Sequence, residues 1–305
     1  SGTSRLGEAA PSGTLEPLVR SHVALIDGHR THCWMGGAGP TLLLLHGGLG
    51  DAELHWRPIW EQLARHTRVV APDLPGFGQS EPLRRADWHG LLGWLEALLD
   101  THQREPDASA GAVGNAPGVA LVGNSFGGAL ARMFAARHPE RCSQLLLVNG
   151  GMIPEMSART RRWMASPWLA PMYALMRWSS YTGPMMRRMI PTRSVRTPEF
   201  VRSARAEGHA FVDMMRLMFS NDPPVAPFPQ VATHILWGCE DGFTPPEVAL
   251  KLADALSCAA PIWFSAAGHM PQLDIPDQFA GELIALTMPA RSGRSAPERS
   301  HEATR

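Results

Sequence analysis

Cysteine is scarce in this chain of 305 residues: Cys33, Cys142, Cys239 and Cys258 lie far apart, with no Cys-x-x-Cys pair and no zinc-ligand spacing. A disulfide framework and a Cys-based metal site are thereby excluded, and the expectation is a reducing, cytoplasmic setting. An excess of either charge is also missing, since Lys plus Arg and Asp plus Glu each total 28. No global field therefore favours nucleic acid or an anionic membrane as a partner. Nowhere do 18 consecutive apolar residues occur, so no membrane span is expected. The opening SGTSRLGEAAPSGTLEP lacks the apolar stretch of a signal peptide. Phosphate-cradling patterns are absent too: GGLGDAE lacks the third glycine of Gly-x-Gly-x-x-Gly, and no Walker A sequence is found. Neither a cofactor nor a metal is expected.

What is present suits a large buried core, with 44% hydrophobic residues. Asp27-Gly28 between SHVALI and HRTHCWM signals a hairpin turn. Continuous apolar runs at 41–45, up to Ala71, 117–122, 143–150, 233–238 and 260–265 read as short buried strands. Helical patterns follow several of them, running to about Ala64, over 88–102 and after Gly127. Strands alternating with helices imply an α/β chain with a mostly parallel sheet covered on both faces. Residues 104–118 read as a surface loop, and 151–225 break the rhythm as an insertion with helical stretches and no evident strand. The expected organisation is a flexible leader 1–16, a core of 17–150 and 226–288, the inserted unit 151–225, and a disordered tail 289–305.

The stretch LVGNSFGGALARMF sets Ser125 between Gly123 and Gly127, where an apolar strand ends and a helix begins. Gly-x-Ser-x-Gly alone is a weak signal, but strand, sharp turn and helix form the setting of a nucleophile elbow. Glycines are needed there because the serine backbone is strained and strand and helix approach closely. A serine hydroxyl is a poor nucleophile near neutral pH; it needs a base, and the base needs an orienting acid. WGCEDGFTPPE places Asp241 in the loop after a later strand, with Glu240 as a rival acid, and AGHMPQLDIPDQF places His269 after the next strand. An oxyanion hole requires two backbone N–H groups. Phe126, just after the serine, and the LHGG loop at 45–48, with Gly48 as its candidate, can supply them.

These motifs together resemble the α/β-hydrolase fold superfamily, over roughly residues 20–288. The resemblance rests on LLLLHGG, VVAPDLPGFGQS, LVGNSFGG, WGCEDGFTP and AGHMPQLDIPDQF, in family order. It implies a helical cap inserted after the sixth strand, Ser125 as nucleophile, Asp241 as triad acid, His269 as base, and Gly48 and Phe126 as oxyanion donors. It also implies that His46, Asp73 and Gly78 shape loops. GNSFGG is similar to the elbow of hydrolases that cleave carbon–carbon bonds in ring-fission products of aromatic degradation. HGGLGD and Met270 depart from that group, which carries Gly-Pro-Gly and a tryptophan at those places, and GHMPQ looks more like esterases and lactonases. The expected activity is cleavage of a carboxylic ester or thioester bearing an apolar acyl or aryl group. Carbon–carbon hydrolysis is the alternative, and a non-catalytic binding protein on the same fold is an alternative of another class.

The insertion holds eleven of the 15 methionines, from Met152 to Met218, a composition suited to varied apolar shapes or to packing a small helical core. It also carries eleven arginines against five acids. That local excess could attract an anion or an acidic partner, or form a solvated face.

Overall fold

Residues 16–103, 118–152, 156–220 and 228–288 are described by the computed structural model of the chain. Strands β1 (Val19–Ile26) and β2 (His29–Gly36) form the expected antiparallel hairpin. Its turn residues Asp27 and Gly28 both take positive φ, 49° and 74°, which matches the right-handed twist of the strands they join. Then follow β3 (Thr41–Leu45), α1 (Ala52–Ala64), β4 (Arg68–Pro72), α2 (Trp88–Gln103), β5 (Val119–Asn124), α3 (Phe126–Arg137) and β6 (Cys142–Val148). Five helices come next: α4 (Ala158–Met164), α5 (Ala170–Ser180), α6 (Gly183–Met189), α7 (Pro198–Ala206) and α8 (Gly208–Ser220). The chain closes with β7 (Ala232–Gly238), α9 (Pro246–Leu256), β8 (Ile262–Phe264), α10 (Pro271–Asp274) and α11 (Pro276–Thr287).

The eight strands form one sheet in the order β1-β2-β4-β3-β5-β6-β7-β8, in which β2 alone runs against its neighbours. Alternate side chains of the central strands feed two separate cores. Leu42 and Leu44 of β3 pack with Trp56 and Ile59 of α1 and Phe279 of α11. Leu43 and Leu45 pack with Trp94 of α2, Phe134 of α3 and Leu252 of α9. Burial on both faces explains why these strands read as unbroken apolar runs instead of alternating ones. A third cluster, including Leu49, Met186, Met189, Ile190 and Met270, seats the inserted helices on the core.

Two strand expectations shift by about two residues. The run expected at 117–122 is β5 at Val119–Asn124, and the run expected at 143–150 ends at Val148 because Asn149, at φ 42°, turns the chain. Among the described residues, the segment between β6 and β7 is helical with no strand. Residues 1–15 of the leader, most of the expected loop (104–117) and the tail 289–305 lie outside the described residues. No helix among the described residues is long and apolar enough to cross a membrane, and all four cysteines are unpaired.

The sharp passage from β5 to α3 is made by backbone packed on backbone. Ser125, between them, takes φ 53° and ψ −115°. A Cβ on Gly127 would lie 2.3 Å from the carbonyl oxygen of Leu45, and one on Gly150 would lie 2.3 Å from Cα of Ser125. Gly123 and Gly127 were legible as necessary glycines; Gly150 was not, because its neighbour is distant in sequence. Gly150→Ala should destabilise the fold by about 3 kcal/mol, since only backbone could move to make room. Gly281→Ala, in α11 with nothing within 4 Å of the new methyl, should instead stabilise by about 0.5–1 kcal/mol. Urea unfolding of both variants checks the contrast.

Candidate active site

Three loops at the carboxyl ends of neighbouring parallel strands carry the predicted residues: Ser125 follows β5, Asp241 follows β7 and His269 follows β8. Asp241 and His269 are buried, and Nδ1–H of His269 donates to Oδ2 of Asp241 at 2.8 Å. That bond sets the tautomer and leaves Nε2 as a proton acceptor. His269 and half-buried Ser125 line the same cavity of about 230 Å³, together with Gly48 and Phe126. A larger hollow of about 670 Å³, walled by Trp34, Glu53, Arg57 and Glu61, shares no lining residue with it. Glu240, the rival acid, is exposed, so of the two adjacent carboxylates only Asp241 is buried against the imidazole.

Five donors converge on the Asp241 carboxylate. Oδ1 accepts from the backbone N–H groups of Phe243 and Thr244, both at 2.8 Å. Oδ2 accepts from Asn149 Nδ2 at 2.7 Å, from Thr244 Oγ1 at 2.5 Å and from His269. Burial on its own would raise the pKa of this carboxyl; the positive charge His269 can carry, with the bonds from His269 and Thr244, outweighs it and holds the group below the ordinary carboxylate value. Asp241 is therefore an anion fixed in place, suited to stabilise an imidazolium. Sequence reasoning missed Asn149 and Thr244. The Thr244 contact was foreshadowed by the Asp-Gly-Phe-Thr spacing, in which an aspartate side chain caps N–H groups two and three residues on.

At the elbow, the first amide of α3, that of Phe126, has no intrahelical acceptor, as holds for every helix start. The positive end of the helix dipole adds to the field there. The N–H of Gly48 has no acceptor among the described residues. Behind this loop His46 is buried, bonded through Nδ1 to the Gly47 carbonyl and accepting the Leu74 N–H at Nε2. Asp73 accepts from His32, Ala52 N–H and Gln79 N–H, and so ties the loops after β3 and β4 to β2. Both residues hold loops, as the resemblance implied, and a Cβ on Gly78 would strike the Asp73 carboxylate at 2.2 Å.

A second polar group under the cavity was not foreseen. His55 of α1 donates through Nε2 to the Leu49 carbonyl, so its Nδ1 accepts, at 3.4 Å, from Gln272. Gln272 also reaches Asn124 Oδ1 at 3.4 Å, and Asn124 Nδ2 donates to the carbonyls of Val148 and His269, both at 3.0 Å. The chain Leu49, His55, Gln272, Asn124, His269 thus links the loop after β3 to the histidine loop through α1, α10 and β5. No motif spacing announces it, because its members are brought together only by the fold. Burial pushes both His46 and His55 down, and for His55 the proximity of His46 adds to the effect.

The inserted helices close the cavity. His269 N–H donates to the Met189 carbonyl at 2.7 Å, and Asp274 accepts from Gly268 N–H at 2.9 Å and Thr192 N–H at 3.1 Å, so the histidine loop is fastened to the end of α6. The walls include Met189, Phe211, Met214, Met215, Met218 and Phe243. No Lys, Arg, Asp or Glu is found among the described residues lining it. Four of the eleven methionines of the insertion therefore face the cavity, while others such as Met164, Met172 and Met176 pack on the core. None of the arginines of the insertion lines it.

Comparison with known proteins agrees with this fold. A family described as alpha/beta hydrolase fold matches residues 40–276. The chain is 30% identical to a 2-hydroxymuconate semialdehyde hydrolase of Pseudomonas sp. (strain CF600), over 85% of this chain and 91% of the relative. Among solved structures it is similar to a thermophilic esterase from Thermogutta terrifontis (TM-score 0.67, 20% identity, covering 88% of this chain and 97% of that one). It is equally similar to a 2-hydroxy-6-oxo-6-phenylhexa-2,4-dienoate hydrolase from Rhodococcus sp. strain RHA1 (TM-score 0.66, 22% identity, covering 88% and 98%). At such identities the structures share the fold.

The buried imidazoles set an acid limit on stability. His46 and His55 have folded pKa values below their ordinary 6.5, so the unfolded chain binds more protons than the folded one once pH falls below that value. Stability should be full above about pH 7 and should drop as pH falls through 6 towards 5, with the depressed carboxyl of Asp241 extending the loss further into acid. Urea midpoints measured against pH should show this slope, and His55→Gln should flatten it.

Proposed function

Because the chain belongs to the α/β-hydrolase fold family and is a hydrolase, we propose that it cleaves a carboxylic ester or thioester with an apolar acyl or aryl group, with Ser125, His269 and Asp241 as its catalytic triad. The observation that carries this reading is the cavity: the hydroxyl-bearing elbow and the imidazole open onto a space walled by methionine and phenylalanine, with no lining charge among the described residues. A neutral apolar substrate can enter it without leaving an ion unpaired.

In this mechanism Ser125 Oγ attacks the carbonyl carbon as its proton passes to Nε2 of His269, and Asp241 stabilises the imidazolium that forms. The carbonyl electron pair moves onto oxygen, where the N–H groups of Gly48 and Phe126 receive it. Collapse expels the alcohol or thiol, which takes the proton from His269 and leaves an acyl-serine. A water molecule, deprotonated by the same imidazole, then releases the acid and restores Ser125. The inserted unit, 151–225, acts as a cap on the core of 17–150 and 226–288, supplying the apolar walls through α6 and α8.

A second reading, carbon–carbon hydrolysis of a ring-fission product, is supported by curated relatives, among them a 2-hydroxymuconate semialdehyde hydrolase at 30% identity and a 2-hydroxy-6-oxo-2,4-heptadienoate hydrolase of Pseudomonas putida at 29%. The same serine chemistry would serve it. Such a substrate carries a carboxylate, however, and the described lining offers it no cation.

Treatment with a fluorophosphonate should add one label, on the peptide containing Ser125, and none to Ser125→Ala. Asp241→Asn should lower turnover by about four orders of magnitude, and Glu240→Gln should have far less effect. Across p-nitrophenyl acetate, butyrate and hexanoate, kcat/KM should climb by about two orders of magnitude, at roughly 0.8 kcal/mol per buried methylene. A flat ester series with rapid cleavage of a ring-fission dienoate would establish the second reading in place of the first.

A further inference from the structure

The outer surface of the insertion is apolar where a surface helix should be polar. In α5, Pro171, Ala174, Leu175 and Trp178 are exposed and recur at helical spacing, so they form one stripe, while Met172, Tyr173 and Met176 on the other side pack against the core. Leu175 is 61% exposed and Trp178 68%. The 3₁₀ turn that leads into α5, Pro167–Leu169, presents Trp168 at 90% exposure, and α4 just before it presents Trp163 at 58%. Three exposed tryptophans within 16 residues (163–178) are not the scattered apolar residues of an ordinary surface.

Charge gives this face its partner. From Met156 to Pro198 the chain holds eight arginines and no aspartate or glutamate, although the whole protein is neutral. Arg159 and Arg162 of α4 and Arg187 and Arg188 of α6 are exposed. Tryptophan places an apolar body and an N–H at the boundary between hydrocarbon and water, and arginine pairs with lipid phosphates. We propose that the face made by α4, the 3₁₀ turn and α5 docks on an anionic lipid surface, with Trp163, Trp168, Leu175 and Trp178 inserted at headgroup depth and Arg159 and Arg162 of α4 on the phosphates.

A route connects this face to the cavity. Ser166, Pro167, Ala170 and Tyr173 form one wall of a surface groove whose other wall is Asp213, Arg216 and Leu217 of α8. Asp213 and Leu217 also line an inner pocket with Leu83 and Leu91, and that pocket shares Phe126 and Met214 with the Ser125 cavity. Met214 therefore stands between the inner pocket and the cavity. An ester dissolved in the lipid could pass inward along α8 once Met214 turns aside, an adaptable movement for an unbranched thioether. Delivery of such a substrate rests on the hydrolase reading given above; the docking does not.

The test is sedimentation of the full chain with vesicles of phosphatidylcholine alone and with about one third phosphatidylglycerol, alongside turnover of soluble p-nitrophenyl butyrate. The expected result is binding at least about tenfold stronger to the anionic vesicles and weakened by salt. Trp168→Ser with Trp178→Ser, and separately Arg159→Gln with Arg162→Gln, should each reduce it by about tenfold while butyrate turnover stays unchanged. Ser125→Ala should bind vesicles as the wild type does, which separates the surface from the chemistry. Absence of vesicle binding with intact butyrate turnover would overturn the docking and leave the hydrolase reading standing; loss of butyrate turnover with vesicle binding kept would do the reverse. A dimer in light scattering that dissociates in the double tryptophan variant would also overturn it, by showing that a second copy covers this face.

Discussion

Everything at the site depends on how closely the backbone is packed around Ser125. A serine at φ 53° would relax to an ordinary conformation if its surroundings could give way, and here they cannot. The Ser125 N–H bonds the Val148 carbonyl, the Ser125 carbonyl accepts from Gly128 and Ala129 in α3 and from Gly151 beyond β6, and Gly127 and Gly150 leave no side chain that could act as a cushion. The strain is held by three strands at once, through β3, β5 and β6. The same close packing puts the first amide of α3 next to Ser125 in the chain, so one constraint presents the serine and a backbone N–H without an intrahelical acceptor together.

The electrostatics around this rigid point are divided between its two sides. On one side is the buried Asp241 carboxylate, kept anionic by its five donors. Under the other side of the cavity lie His46 and His55, kept neutral by burial and each bonded to backbone groups. His55 also lines the cavity but has both ring nitrogens bonded, whereas Nε2 of His269 has no hydrogen-bond partner among the described residues. The chain from His55 through Gln272 and Asn124 adds positional control, because it bonds the carbonyl of His269 itself.

Charge is distributed along the radius of the molecule as well. The formal net charge is zero, the cavity is uncharged among its described residues, and the arginines of the insertion stay outside it. Over the whole chain no net field favours an anionic partner, yet the charges are unevenly placed, with eight arginines and no aspartate or glutamate from Met156 to Pro198. Helix α8 joins the two regions: Met214 faces the cavity, and Arg216 and Leu217 face the outer groove.

The local sequence was sufficient for whatever depends on neighbours along the chain. Apolar runs and their punctuation located the strands to within about two residues, Asp27-Gly28 specified its hairpin, and the order of Ser125, Asp241 and His269 at strand ends was enough to expect that they meet. The resemblance pointed to Asp241 over Glu240, but local chemistry could not separate two adjacent acids; the turn after β7 directs Asp241 inward, where it bonds His269. Gly150, Asn149, Asn124, His55 and Gln272 were likewise invisible beforehand. Their partners lie up to 217 positions away, and no periodicity encodes such a pairing. Nor could spacing tell which methionines of the insertion face the cavity: α8 packs on the core and lines the cavity with neighbouring turns of one apolar face, and only the position of the sheet beneath it separates the two roles.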